Sequence, residues 1–465
     1  MKFLSIFKSL SLYIVLFTIS ILLWVDFSNK RWEDRKVIDW DIISYYGYLP
    51  ATFIRHDLAL DFMAKNEVSN GEVYWYETAE NGGRVMKMTM GMAILYSPFF
   101  SIAHIYSQQA GEIANGFTYH YQKAIFLSAL FYVMIGVIFL RLLLLKFYNE
   151  RVTSIVILSI VFGTNLYNYI TVDGAMSHAY NFSLITVFLY FSVKWHEQQK
   201  YRYTIILGLI GGLIILIRPV NILVFIFPLL YNVYSWKDFK TRVLFFLAQW
   251  KQITGIALLV FLCWIPQIIY WKLNTGDFLF YSYGEEKFFF SHPHIIEGLF
   301  SYRKGWLVYT PIMIFALMGI YSLFKLRKQL FLPVLIFVVL AMYATFSWWC
   351  WWYGGGFGIR PMIDFYALLA LPMGALLQQV SDRKMMILSH ALVPVFLFFI
   401  YLNLLQIWQY KYCIIHYESM SKESYWLHYM KKDCIEWPAF EKALKAPDNE
   451  KARKGEDENG VDIFL

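Results

Sequence analysis

The stretch "LGLIGGLIILIRPVNILVFIFPLL", residues 207–230, is apolar except for an arginine and a proline near its centre. The apolar run that contains it, 203–235, is too long for a single membrane helix, which needs about 20 residues. Proline ends or kinks a helix because it lacks a backbone N–H and clashes with the preceding turn. The stretch therefore predicts two short helices that meet at Arg218 and Pro219.

The rest of the chain has the composition of a membrane protein. Of its 465 residues, 58% are hydrophobic and 16% are charged, and the mean hydropathy is +0.46. Soluble proteins carry about 25% charged residues. The apolar runs are continuous, as in "LFLPVLIFVVLAMYATF" (330–346), whereas the strands of a membrane barrel alternate apolar and polar residues. The predicted fold class is an all-α polytopic membrane protein.

Run lengths predict about eleven transmembrane helices. They are 10–26, 123–146, 153–170, 177–195, two within 203–235, 255–272, 306–325, 330–347, 362–381 and 387–407. A further apolar stretch, 90–106, is expected to re-enter the membrane or to lie on its surface, since a crossing there would invert every later loop.

Basic residues predict the orientation, because loops rich in Lys and Arg stay in the cytoplasm. The chain has a net charge of +8, and its basic residues recur in short loops. The clusters are Lys2 and Lys8; Lys146 and Arg151; Lys194, Lys200 and Arg202; Lys237, Lys240, Arg242 and Lys251; Lys325, Arg327 and Lys328; and Arg383 and Lys384. Solvated helix ends without topological meaning are the alternative.

This orientation puts the N-terminus in the cytoplasm and the C-terminus outside. Residues 1–407 form the predicted transmembrane domain, in which 27–122 is a long first extracytoplasmic loop. Residues 408–465 form an extracytoplasmic tail whose polar end is expected to be disordered. Cys413 and Cys434 in this tail could form a disulfide in an oxidising compartment.

The first outer loop carries two acids in "VIDWDIISYY" (37–46), Asp39 and Asp41. A carboxylate at the outer membrane edge can act as a general base on a hydroxyl group. A polyprenyl-phosphate sugar would supply the leaving group, and cations such as Arg218 and Arg360 would hold its phosphate as negative charge develops. The aromatic run "WWCWWY" (348–353) could stack on the sugar or line the path of the lipid, with a membrane-interface belt as the alternative.

Four motifs occur in the order found in a known family. The stretches "DIISYY" (41–46), "DGAMSHAYNFSL" (173–184), "LGLIGGLIILIRPVNILVFIFPLL" (207–230) and "WWYGGGFGIRPMIDFYALLALPM" (351–373) resemble the GT-C superfamily of integral membrane glycosyltransferases. The resemblance covers about residues 10–407 and is nearest to the dolichyl-phosphate-mannose-type protein mannosyltransferases and the RgtA-like bacterial branch. Two motifs depart from the family: "LYSPFF" (95–100) stands for a "PPL" motif, and Asp-Trp-Asp stands for an Asp-Glu pair. The base is therefore Asp41 or Asp39.

The resemblance also suggests residues for the donor site. Tyr45 lies four residues after Asp41 and so on the same helix face. Together with Arg218, Arg360 and His178, it is predicted to bind the donor and its phosphate. The alternatives are a snorkelling Arg218, an interface arginine at Arg360 and a buried structural histidine at His178. No cofactor and no metal ligand are assigned, although an Asp-x-Asp pair can bind a divalent metal.

The predicted function is an inverting glycosyltransferase of a bacterial inner membrane. It would move a sugar from a polyprenyl-phosphate donor to a hydroxyl of a cell-envelope polysaccharide, lipid or protein, with no nucleic acid as partner. A flippase or transporter for lipid-linked sugars is one alternative, although no internal repeat typical of transporters is visible. An O-antigen polymerase or ligase is another, although its functional loop is expected late in the chain. No GxxxxGK[ST] phosphate loop is present, which argues against an ATP-driven pump.

Overall fold

The computed structural model describes residues 9–34, 36–65, 67, 71–382, 385–433, 437–456 and 461–463. The basic residues Lys2, Lys8, Arg383 and Lys384 lie outside the described residues. Cys434 does too, so the predicted disulfide with Cys413 stays a prediction.

Within the described residues, six helices are long and apolar enough to cross a membrane. They are Leu10–Glu33, Tyr119–Leu144, Trp250–Thr275, Lys328–Phe346, Arg360–Asp382 and His390–Lys411. Three shorter apolar helices accompany them: Tyr201–Ile217, Pro219–Leu230 and Met313–Leu326. The chain is thus a multi-pass membrane protein.

The eleven predicted spans are not confirmed, and two of them show why counting apolar runs is insufficient. The run 153–170 is interrupted, because its helix, Glu150–Phe162, ends at Gly163. The helix Ser177–Gln198 is long but buries serine, histidine, asparagine and threonine side chains among its neighbours. Buried polar groups lower the hydropathy of a helix without exposing it to water, since most of these side chains find a partner within the bundle.

The predicted break at Arg218 is confirmed. The helix Tyr201–Ile217 ends there, and Arg218 has an extended backbone (φ −146°, ψ 107°). A 3₁₀ helix, Pro219–Phe225, follows and continues into the short helix Ile226–Leu230. The glycines before the break allow close packing on the helix Trp250–Thr275, since a Cβ on Gly208 would lie 2.6 Å from the Cβ of Leu259. Small residues of this kind bring membrane helices together.

The long first loop folds into short elements. Its helices are Arg31–Asp34, Asp41–Tyr46, Tyr48–Phe53, Asp61–Ala64 and Gly91–Gln109. Strands Tyr76–Thr78 and Arg84–Met86 pair antiparallel, with Tyr76 opposite Met86. This hairpin is an exception to the all-α prediction. The helix Gly91–Gln109 corresponds to the stretch 90–106 and is not among the candidate spans of the described chain.

The remaining helices complete the core and the outer layer. They are Asn168–Thr171, Trp236–Ala248, Ile295–Phe300, Trp306–Tyr309, Tyr366–Asp382, Met386–Lys411, Lys422–His428, Trp437–Ala443 and Asn449–Lys454, with a second 3₁₀ helix at Arg360–Phe365. The main core lies between the long helices. There, Gly319 packs so closely that a Cβ would lie 2.0 Å from the carbonyl oxygen of Pro372.

The prediction of a disordered end is wrong for residues 449–454. They form a helix whose first turn is capped by the Asp448 side chain, which accepts a hydrogen bond from the backbone N–H of Lys451. Ala452 is buried in a cluster with three tryptophans, Trp349, Trp351 and Trp352. Farther on, Ile463 forms an antiparallel bridge with Ser301. Burial of a few apolar side chains against these tryptophans stabilises the folded form of an otherwise polar segment.

Candidate functional site

A cavity of about 680 Å³ opens where the first loop, the "GGG" loop and the tail meet. Its wall includes Asp39, Trp40 and Asp41 from the first loop, and Gly354–Gly356 and Arg360 from the late motif. Its volume lies in the range of small-molecule sites. The structure therefore brings both predicted acids and one of the two predicted arginines to a single cavity.

An ion pair joins two of these residues. Nη2 of Arg360 lies 2.8 Å from Oδ2 of Asp41, and both side chains are only partly exposed. Asp41 is the first residue of the helix Asp41–Tyr46. Arg360 is the first residue of the 3₁₀ helix Arg360–Phe365, which has Pro361 in its first turn. Within the described residues no donor is recorded at the second carboxylate oxygen of Asp41. The pair thus holds the carboxylate by one oxygen, Oδ2.

The acidic segment is held by a side chain from the core. Oε1 of Gln122 accepts hydrogen bonds from the backbone N–H groups of Val37 and Ile38, each at 2.8 Å. Asp39 turns back on its own chain, where Oδ1 accepts from the N–H of Trp40 at 3.0 Å. The choice between the two acids as base stays a prediction. The geometry favours Asp41 as the base. Its carboxylate forms the ion pair with Arg360, whereas that of Asp39 contacts its own backbone.

Asp364 is a functional candidate that the sequence reasoning missed. Its carboxylate is fully buried and binds three side chains from two elements, the helix Ser177–Gln198 and the 3₁₀ helix Pro219–Phe225. Oδ1 lies 2.8 Å from Nδ1 of His178, and Oδ2 accepts from the amides of Asn181 at 3.1 Å and Asn221 at 2.7 Å. An acid inside an apolar membrane segment is itself a signal of function, and Asp364 stands in such a segment, "RPMIDFYALL".

Arg218 lies next to this carboxylate. Its Nε is 3.8 Å from Oδ2 of Asp364, and 24% of its side chain remains exposed. The guanidinium also lies within electrostatic range of three phenols, Tyr45, Tyr283 and Tyr353. Arg218 is not part of the wall of the 680 Å³ cavity. The structure thus places the two predicted arginines at separate but neighbouring positions.

Tyr45 and His178 lie beneath the surface. The Tyr45 hydroxyl donates to Oγ of Ser177 at 3.3 Å, and burial raises the pKa of this phenol, so it stays neutral. His178 is fully buried, and its ring meets Tyr169 edge-on at 5.8 Å. Neither residue lines the cavity. For His178 this geometry matches the alternative of a buried structural histidine, because its contact is with Asp364 rather than with open space.

Lys87 is a second residue that the sequence reasoning missed. Its Nζ lies 2.7 Å from Oε1 of Glu286 and stands over the rings of Trp75 at 5.2 Å and Tyr283 at 5.4 Å. Tyr283 in turn lies within range of the Arg218 charge. Lys87 follows the hairpin of the first loop and joins it to the loop 282–286, since its backbone carbonyl also accepts a hydrogen bond from Oγ of Ser282.

The run "WWCWWY" does not line the cavity. Trp349, Trp351 and Trp352 are buried, and Cys350 is buried with them. Arginine side chains lie over these rings. The guanidinium carbon of Arg453 is 5.2 Å from the ring centroid of Trp349, and that of Arg303 is 5.1 Å from the ring centroid of Trp352. The structure thus shows neither a sugar-stacking surface nor an interface belt for these three tryptophans. They form the base on which the tail folds.

Lys304 is a buried residue that contacts the "GGG" loop, Gly354–Gly356. Its Nζ donates a hydrogen bond to the carbonyl oxygen of Gly354. Burial lowers the pKa of this amino group to about 7, and the nearby positive charge of Arg360 acts in the same direction. A neutral Lys304 can still donate its hydrogen bond without repelling Arg360.

Replacing Lys304 by methionine should change how stability depends on pH. Between about pH 7 and the ordinary lysine value near 10.4, the unfolded chain binds a proton that folded Lys304 has lost. Folding stability therefore rises with pH across this window. We expect the melting temperature of the purified wild type to rise between pH 7 and pH 9.5 more steeply than that of Lys304→Met. Lys422→Met, at an exposed position, is the control, and equal slopes in all three proteins would contradict the assignment.

The metal alternative stays untested. Within the described residues, no three His, Cys, Asp or Glu side chains are grouped closely enough to hold a metal ion. At Asp41 a guanidinium already supplies the positive charge that a metal would otherwise bring.

Comparisons with known proteins rest on structure alone. No family model and no curated protein sequence matches the chain. Among solved structures, ArnT from Cupriavidus metallidurans bound to undecaprenyl phosphate matches with a TM-score of 0.51 and 12% identity over 82% of this chain and 63% of that one. AglB from Archaeoglobus fulgidus, in complex with an inhibitory peptide and a dolichol-phosphate, matches with a TM-score of 0.51 and 13% identity. The match covers 94% of this chain and 60% of that one.

The apo form of the Archaeoglobus fulgidus oligosaccharyltransferase gives a TM-score of 0.50 and 14% identity, again over 94% of this chain and 60% of that one. The chain thus spans about 60% of the length of the structures it matches. Identities this low show the fold alone. The chain has a GT-C-like fold, as the sequence motifs predicted, and it shares that fold with membrane glycosyltransferases.

Proposed function

We propose that this protein is an inverting glycosyltransferase that uses a polyprenyl-phosphate sugar. The observation that carries the proposal is the ion pair of Asp41 with Arg360 at the wall of a cavity, in a fold shared with enzymes solved with lipid phosphates. A carboxylate held at one oxygen by a guanidinium is suited to take a proton from an acceptor hydroxyl with the other.

The proposed reaction is a single displacement. Asp41 removes the hydroxyl proton as the acceptor oxygen attacks the anomeric carbon. The bond from that carbon to the phosphate oxygen breaks, and the lipid phosphate leaves with the bonding electrons. Attack from the face opposite the phosphate inverts the anomeric centre. Asp39 is the alternative base.

Arg218 is proposed to bind the departing phosphate. Asp364 contacts its inner nitrogen, Nε, while part of the side chain remains exposed. Preorganised cations at the point where charge develops stabilise a transition state. Tyr45 and His178 then act as positioning residues, one beside Arg218 and the other on Asp364.

The membrane placement is also a proposal. With the basic loops inside, the N-terminus lies in the cytoplasm and the tail and cavity lie on the outer face of a bacterial inner membrane. The acceptor is a hydroxyl of a cell-envelope polysaccharide, lipid or protein. A flippase would bind the same donor without breaking it, and a polymerase or ligase would transfer a whole glycan.

One experiment tests reaction and orientation together. Undecaprenyl phosphate carrying a radiolabelled pentose or hexose is added to sealed right-side-out and inside-out vesicles that contain the protein, with envelope extract as acceptor. We expect sugar release or transfer only in right-side-out vesicles, and none with Asp41→Asn. Binding with no bond cleavage by the purified protein would support a carrier instead, and turnover confined to inside-out vesicles would reverse the orientation.

A further inference from the structure

We propose that the acceptor is a carbohydrate and that Trp40 and Tyr417 bind its ring in the cavity beside Asp41. This inference rests on the proposed function and names the acceptor class that it leaves open. The sugar could belong to a free oligosaccharide or to the head group of a glycolipid, since both present the same ring to the cavity.

Trp40 is the first observation. It lines the cavity between the two acids, and 75% of it is exposed. Its backbone has φ 48° and ψ −131°, a region that residues with a side chain rarely adopt. Such strain persists where the surrounding structure imposes it, and it concentrates at functional sites. Here the strain presents an indole ring to the cavity instead of burying it in the core.

Tyr417 is the second observation, and it comes from the tail. It lines the same cavity, is 51% exposed, and stacks on the ring of His416 with centroids 4.2 Å apart. A side chain added to Gly355 would meet its ring at 3.5 Å, so the tail packs against the loop that precedes Arg360. Gly354 and Gly356 have positive φ values, 60° and 142°, which residues with a side chain rarely adopt, and a Cβ on Gly356 would lie 2.7 Å from the hydroxyl of Tyr169.

The polar groups of the cavity suit hydroxyls. Asp39, Asp173 and Glu418 line the wall and provide acceptor oxygens. His416 provides a donor: its Nδ1 accepts from the backbone N–H groups of Glu418 at 3.2 Å and Ser419 at 3.0 Å, so the neutral ring carries its proton on Nε2. Burial lowers the pKa of His416 and keeps the ring neutral.

This combination favours a sugar over an acyl chain. A sugar ring has apolar C–H faces that stack on aromatic rings, and hydroxyls around its edge that both donate and accept. Exposed aromatic rings beside mixed acceptors and donors match both features. An acyl chain would instead need a continuous apolar groove, and charged walls would be costly for it.

The test measures acceptor and donor affinity separately. Purified protein receives undecaprenyl phosphate with a radiolabelled sugar and one of three acceptors: oligosaccharides released from envelope glycan by mild acid, the same glycan on its lipid, or a tryptic peptide pool. We expect Trp40→Ala and Tyr417→Ala to raise the KM for both glycan acceptors about tenfold, a loss typical of truncating an aromatic anchor. The KM for the donor should not change.

Two variants guard against trivial loss of structure. Trp40→Phe keeps an aromatic face and should restore part of the affinity, while Trp40→Gly removes the ring but suits the positive φ, so it should fold and still lose acceptor affinity. Trp24→Ala is the matched control, because Trp24 is 70% exposed on the membrane helix Leu10–Glu33 and is not part of the cavity wall.

Binding of the released oligosaccharides, measured by saturation-transfer NMR without donor, separates the two proposals. If no donor is ever cleaved but wild type binds glycan and Trp40→Ala does not, the glycan site stands and the proposed reaction fails. The inference is overturned if glycan binds both proteins equally, if transfer occurs only to peptides, or if Trp40→Ala changes the KM for the donor instead. Transfer to the lipid-linked glycan alone would identify the sugar as a glycolipid head group.

Discussion

Asp41→Asn is expected to lower turnover by about 10²–10⁴-fold, the loss typical when a general base is removed. The amide keeps the size of the side chain and can still accept a hydrogen bond from Arg360, so the cavity should keep its shape. It cannot take the proton of the acceptor hydroxyl. Donor binding should change little, because the proposed phosphate site is at Arg218.

The measurement is kcat with a radiolabelled polyprenyl-phosphate donor at saturating acceptor, beside the melting temperature of each variant. Asp39→Asn is the matched control, since Asp39 lines the same cavity but contacts its own backbone. Near-normal turnover in Asp41→Asn with loss in Asp39→Asn would move the role of base to Asp39. Activity in both would remove the two acids from the chemistry.

Arg218→Ala is expected to abolish most turnover and to weaken donor binding, and Arg218→Lys should retain part of both. Lysine keeps the positive charge but loses the planar fork that grips two phosphate oxygens. A donor phosphate in a partly dry setting meets this charge with less screening than in water. Asp364 would keep its bonds to His178, Asn181 and Asn221 in either variant, so the helix break should survive.

Donor binding by monodisperse, detergent-purified protein decides the case, with undecaprenyl phosphate as the ligand. Arg202→Ala is the control, because Arg202 lies at the opposite end of the same helix, Tyr201–Ile217. A purely structural Arg218 would behave differently: Arg218→Ala would lower yield and melting temperature, while the surviving folded protein would bind the lipid phosphate normally.

Local sequence was sufficient for the features that depend on local physics. Composition and continuous apolar runs determined the helical membrane class, because a helix satisfies its own backbone polar groups in a bilayer. Pro219 indicated the helix break at Arg218, because proline lacks a backbone N–H and clashes with the preceding turn. A proline alone does not fix a break, since five others lie inside helices: Pro98, Pro266, Pro333, Pro372 and Pro394. The order of the motifs with Asp41 and Arg360 determined the expectation of a GT-C-like fold.

Only the tertiary structure decided which groups meet. Asp41 and Arg360 lie far apart in the sequence, and nothing local to either predicts an ion pair between them. The sequence shows Asp364 only as an acid in an apolar segment, and packing alone supplies its partners His178 and Asn221. Run lengths could not give the number of spans, because polar side chains buried inside the bundle lower a helix's hydropathy without exposing it.

The tail shows the same limit most clearly. Its polar composition predicted disorder at the end of the chain, yet Ala452 and Val461 pack on a tryptophan cluster that is distant in sequence. The tail also contributes Tyr417 to the wall of the cavity beside Asp41. Hydropathy describes what a segment would do in water by itself, whereas burial depends on the apolar surface that the rest of the fold presents to it.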